Sequence, residues 1–171
     1  MADVAGRATA ITTLTRLKPG ARLQLAAVFW IGRHVTATLR KLEALSFIHY
    51  ARWAIVDGDH LLFESNFNGT WDQYIDAFSA VVPLRMKAIW GSSYGFPGPV
   101  PVEPFKAYIR RHELRANHYW SAYPGASTTE IIAAQRVAAA LHAFKQRSDG
   151  LAPDAFAAAY AQLLTEVQGD L

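Results

Sequence analysis

Two histidines fall within stretches whose residue types suit extended chain. His49 lies in residues 45–53, LSFIHYARW, and His118 in residues 117–123, NHYWSAY. An imidazole changes charge close to neutral pH, so it can pass a proton as general base or hold haem iron as an axial ligand. Glu64 and Arg52 lie on the neighbouring stretches and carry the charges that orient a polar or anionic group. Trp53, Asn66 and Tyr119 supply an aromatic wall with hydrogen-bonding groups, the usual makeup of a small-molecule site. Trp90 and Tyr94 flank a Gly/Pro-rich loop and are placed to form its rim or lid. The candidate catalytic set is therefore His49, His118, Glu64 and Arg52. The candidate substrate-binding set is Trp53, Asn66, Tyr119, Trp90 and Tyr94. The remaining histidines read otherwise: His34, His60 and His142 as solvent-facing, His112 as a helix-end cap.

Other chemistries are poorly supported. The chain of 171 residues has no cysteine, which removes disulfides, thiolate metal sites and thiol nucleophiles. Residues 91–95, GSSYG, match G-x-S-x-G, but the nucleophile elbow needs a strand before it and a helix after. Here a helical pattern precedes and FPGP follows. His112-Glu113 followed by His118 is not H-E-x-x-H, because the second histidine comes six positions on rather than four. Asn68-Gly69-Thr70 matches a glycosylation sequon but reads better as a turn and helix cap.

These side chains need elements to hold them. Residues 8–17 are rich in Thr and Ile and read as a strand, ended by Lys18-Pro19-Gly20. Residues 21–45 follow as a long helix with Gly32 as a weak point. Residues 46–56 and 60–67 read as two strands around the turn signal Asp57-Gly58. Thr70 and Gln73 have capping-box spacing, and Trp71, Tyr74, Ile75 and Phe78 give the helix they open an apolar face. Pro83 restarts it as a second piece over 84–90. Residues 91–104 form a loop with four prolines. A short helix follows, with Phe105, Tyr108, Ile109 and His112 on one face. Residues 117–123 read as a fourth strand. Ser127 and Glu130 open an Ala-rich helix to about 147, and Pro153 starts a last one.

The order β-α-β-β-α-β predicts an α+β domain with the ferredoxin-like split βαβ arrangement. It carries a Pro/Gly-rich insert and two C-terminal helices, in one domain with a core at 8–125 and an appendage at 126–171. Such a sheet buries one face under its helices, and the other must find cover. Pairing two sheets in a homodimer, as a dimeric α/β barrel, supplies it.

The hairpin register decides which side chains meet. With a two-residue loop, His49 sits opposite Asn66, and His49, Trp53, Glu64 and Asn66 line one surface. With a three-residue loop, Arg52 sits opposite Glu64 as a cross-strand ion pair. The type I′ preference of Asp-Gly favours the two-residue loop.

The net charge of +3 is uneven. Residues 1–56 carry eight Lys/Arg against two acids. A basic first third attracts phosphate, an acidic substrate or an anionic membrane surface. The charges form no block of five and no nucleic-acid motif, so nucleic acid is not an expected partner. The N-terminus has no apolar core of a signal peptide, and the most apolar run, 23–31, is too short to span a bilayer. The expected location is cytoplasmic. Arg22 and Arg33 bracket that run, which admits two readings: a helix buried against the sheet, or one making peripheral membrane contact.

Residues 45–53, 61–78 (LLFESNFNGTWDQYIDAF), 88–97 (AIWGSSYGFP) and 117–124 (NHYWSAYP) together resemble a family of uncharacterised bacterial proteins, actinobacterial in type. The resemblance covers about residues 8–145. Related segments resemble parts of larger proteins with catalase- or peroxidase-like haem regions. The arrangement is also similar to the dimeric α/β barrel group, which includes haem peroxidases and cofactor-free monooxygenases. This implies an oxidoreductase-type enzyme acting on a small hydrophobic or aromatic molecule, with haem or with no cofactor. The alternative is a non-catalytic binding module, on a membrane surface or as the assembly partner of a haem protein.

Overall fold

The computed structural model describes residues 3–34 and 45–171. Its elements are β1 (Asp3–Ala5), β2 (Ala8–Arg16), α1 (Ala21–His34), β3 (Ile48–Val56), β4 (His60–Asn68), α2 (Trp71–Val81), α3 (Pro83–Trp90), α4 (Val102–His112), α5 (Thr128–Ser148) and α6 (Pro153–Val167). The second half of the helix expected over 21–45 lies outside the described residues. The chain divides into two compact units, 1–125 and 126–171.

The first unit holds a four-stranded antiparallel sheet in the order β1-β2-β4-β3. Alternation explains its two faces. Along β4, Leu61, Phe63, Ser65 and Phe67 are all buried, and the residues between them are not. The helices α1 to α4 all add side chains to the core on that buried face, among them Leu25, Tyr74, Trp90 and Phe105. Phe67 stacks on Tyr74 at 3.9 Å, and Phe63 meets the edge of Trp90 at 4.9 Å. Each such fully buried aromatic contributes about 1.5–3 kcal/mol by leaving water. The helices start where the sequence says they should. The Thr70 hydroxyl oxygen accepts from the Gln73 backbone N–H and the Thr70 N–H donates to Gln73 Oε1, a complete capping box. Pro83 occupies the first turn of α3.

The fold is α+β and compatible with a ferredoxin-like arrangement, with one correction. Residues 117–123 are not a strand. The edge of β2 that such a strand would use is already taken. β1 folds back on it through Asp3↔Ala10, Val4↔Thr9 and Ala5↔Ala8, and Glu113 bridges to Thr13 further along. The Leu114 amide donates to the Thr12 carbonyl at 2.8 Å, still on β2, and the chain after it is tied to β1 and the turn that follows. The Asp3 carboxylate accepts from the Ala116 amide at 2.6 Å, and the Arg7 amide donates to the Pro124 carbonyl at 2.8 Å. High β-propensity without a free edge makes no strand.

The second unit is the pair α5 and α6. Ser127 and Glu130 form the expected capping box. Phe144 meets Phe156 at 5.5 Å and Tyr160 at 6.0 Å across the pair, and Leu163 is buried.

Candidate functional site

The face of the sheet turned away from α1 to α4 carries the polar groups. Pairing across β3 and β4 puts Val56 opposite His60, so the loop is the three residues Asp57, Gly58 and Asp59. The two-residue loop favoured by Asp-Gly is corrected. Asp57 and Gly58 do take positive φ, 51° and 78°, as that dipeptide suits, but one more residue enters the turn. In this register Arg52 faces Glu64, and the two form an ion pair. Tyr50 faces Asn66 on the same side.

A bulge then interrupts β3. Ile48 pairs with Phe67 and Tyr50 with Asn66, which leaves His49 as the extra, unpaired residue. The bulge lets Ile48 face the core while Tyr50 faces the polar side. The Ser65 hydroxyl donates to the Tyr50 carbonyl at 2.7 Å beside this irregularity. Asn68, the last residue of β4, donates its side-chain amide to the Arg7 carbonyl at 3.0 Å.

His49 is partly buried at this corner. Burial pushes its pKa below the ordinary imidazole value, and a side-chain hydrogen bond with Asn68 partly offsets this. The ring is therefore neutral at pH 7. Its Nε2 is shielded from solvent and has no hydrogen-bond partner. Tyr119, within residues 117–123, lies near Tyr50. Burial raises its pKa, and the nearby Tyr50 raises it further, so the phenol stays protonated. Its hydroxyl is also buried without a partner. Buried polar atoms left unpaired cost roughly 1–3 kcal/mol each.

The expected constellation is thus only partly assembled. His49 bonds Asn68, Tyr50 faces Asn66, and Tyr119 is near Tyr50, with Arg52 and Glu64 further along the face. Trp53 is not among them. It pairs with Phe63 on the helix side and packs 5.1 Å from that ring and 6.2 Å from Trp90. The bulge shifts His49 out of the alternation that had joined it to Trp53. His118 is exposed on irregular chain, not in a strand beside His49. Trp90 is 2% exposed and part of the core, so it is no lid. Tyr94 is half exposed at the far end of the sheet, with Arg16 5.9 Å above its ring. Ser93, the central serine of the G-x-S-x-G match, is fully buried and bonded to Thr15 at 2.9 Å.

A haem site is not formed by these residues. The expected arrangement needs one histidine on the iron and a second in the distal pocket. His118 does not share the sheet with His49. Among the described residues no three His, Asp or Glu converge as metal ligands.

One feature escaped sequence reasoning. Beyond the other end of β2, Arg16, Lys18, Arg22 and Tyr94 line a groove of about 330 Å³. Its residues come from three places in the chain, and only the clustering of basic residues in the first third hinted at it.

No family model, no curated protein and no solved structure matches the chain.

Proposed function

We propose that the chain binds a small hydrophobic or aromatic molecule at the polar corner of the sheet and acts on it as an oxidoreductase-type enzyme without haem. The reading includes membership of the bacterial family its motifs resemble, and a cytoplasmic setting, which the lack of cysteine suits. The observation that carries it is that His49 Nε2, on the residue before Tyr50, and Tyr119 Oη, near Tyr50, are both buried without a partner. Native proteins pair such atoms, and a ligand with one acceptor and one acidic proton would satisfy both. Tyr119 would donate to the acceptor, and the neutral His49 would take the proton. That is the start of a cofactor-free reaction with dioxygen as the oxidant. Residues 117–123 make no ladder hydrogen bonds, so moving them to admit a ligand costs no sheet pairing. The same face has no cover from α1 to α4, which supports the homodimer expected for it.

The experiment is a titration with a panel of phenols and hydroxyquinones, followed by intrinsic fluorescence, for the native protein and for His49→Ala and Tyr119→Phe. Saturable binding weakened at least tenfold in both variants supports the reading. Equal binding in all three proteins, or none at millimolar ligand, removes it.

The binding-module alternative rests on a separate observation, the exposed apolar side of α1.

A further inference from the structure

We propose that α1, with the basic groove at its start, is a docking surface for an anionic lipid membrane. The helix carries apolar residues on two opposite sides, more than a helix covered on one side alone needs. Here only one side is covered. Ala21 and Leu25 are buried in the core, and Val28 and Phe29 pack against it. Leu23 is 81% exposed, Trp30 60% and Ile31 48%. At 100° per residue Leu23, Trp30 and Ile31 fall within one outward-facing sector, with Ala27 between them. Trp30 is anchored there by His34, whose ring stacks on it at 4.7 Å.

Charge selects the occupant. Arg22 and Arg33 flank this sector, both exposed, and residues 21–34 contain no acid. The groove adds Arg16 and Lys18 at the same end. Its walls are fixed by backbone pairing. The Lys18 amide donates to the Ser92 carbonyl at 2.8 Å, and the Tyr94 amide donates to the Arg16 carbonyl at 2.9 Å. Lys18 Nζ is held on the Gly91 carbonyl at 2.9 Å. Neither Arg16 nor Arg22 is in an ion pair with a described residue. The groove's one acid, Asp59, is bonded to His60 at 2.7 Å. A groove of about 330 Å³ lined by three cations, with Leu23 at its lip, fits a lipid phosphate headgroup whose chains continue past Leu23 and Trp30. A second copy of the chain suits this surface less well. A two-fold contact through α1 would set Arg22 and Arg33 of one copy against those of the other with no acid to balance them. No helix among the described residues is long and apolar enough to cross a membrane, so the contact is peripheral.

The test is co-sedimentation of the full chain with phosphatidylcholine vesicles, with and without phosphatidylglycerol, at low and physiological salt. Arg16→Ala with Arg22→Ala removes the groove charge. Leu23→Gln with Trp30→Gln removes the apolar anchor. Circular dichroism melts check that each variant folds, and all four positions are solvent-facing. The expected result is binding to anionic vesicles only, weakened by salt. The arginine pair should lose about 25-fold, on the order of fivefold per cation. The Leu/Trp pair should bind more weakly while keeping the salt dependence. Absence of binding to anionic vesicles at low salt would overturn the proposal, as would equal binding by the folded variants. So would binding of inorganic phosphate by the groove without vesicle binding, or a dimer abolished by Trp30→Gln without vesicle binding.

Discussion

A Cβ placed on Gly6 would lie 1.8 Å from the carbonyl oxygen of Pro124. Gly6 also holds φ at +63°, in the turn that folds β1 onto β2. The turn needs a residue without a side chain on both counts, and the chain that should have been a fourth strand is tied down at this point. Gly6→Ala should therefore cost more than the roughly 1–2 kcal/mol of the left-handed conformation alone. A total near 3 kcal/mol is expected, measured by urea unfolding. A loss under 1 kcal/mol would mean that residues 114–125 do not pack on this turn.

Arg52 and Glu64 are partners across the sheet, but the arginine side chain is 64% exposed. A double-mutant cycle with Arg52→Ala and Glu64→Ala should give a coupling of at most about 1 kcal/mol. Ser65→Ala should cost about as much or more, because a buried hydroxyl that serves the Tyr50 carbonyl is lost.

Trp90 separates core from lid. Trp90→Ala should destabilise the fold by about 3–5 kcal/mol, as expected for a large buried aromatic. Tyr94→Ala should stay within about 0.5 kcal/mol, being half exposed. Thermal and urea unfolding distinguish the two.

His49 gives a pH signature. Its folded pKa lies below the value of about 6.5 that an unfolded chain shows. Between those two pKa values the unfolded state binds more protons, so stability rises with pH there. The contribution is complete above about 6.5 and is lost as pH falls through the folded pKa. NMR titration of the His49 ring should show a midpoint below 6.5, and His49→Phe should flatten the acid limb of stability against pH.

Much of the fold was legible because local signals agreed with it. Thr70/Gln73 and Ser127/Glu130 mark helix starts by side-chain reciprocity, and Phe105, Tyr108 and Ile109 share a face by simple period. The site was legible only in part. Residues 117–123 have strand composition, yet whether they pair depends on a free edge, and Asp3–Ala5 takes it from the start of the chain. The Asp57-Gly58 signal was right about the turn and silent about its length. One extra turn residue and one bulge at His49 decide which side chains share a face, and neither leaves a mark in the residue pattern. Trp53 went to the core for that reason.

Binding of one ligand by both His49 and Tyr119 is open to direct measurement. Its most direct test is ring-proton NMR of His49 during titration with a phenol that binds the native protein. Saturable shifts of the His49 ring resonances that vanish in Tyr119→Phe are expected, with Arg16 and Tyr94 signals unmoved. Shifts confined to Arg16 and Tyr94, with His49 unchanged at saturating ligand, would contradict it.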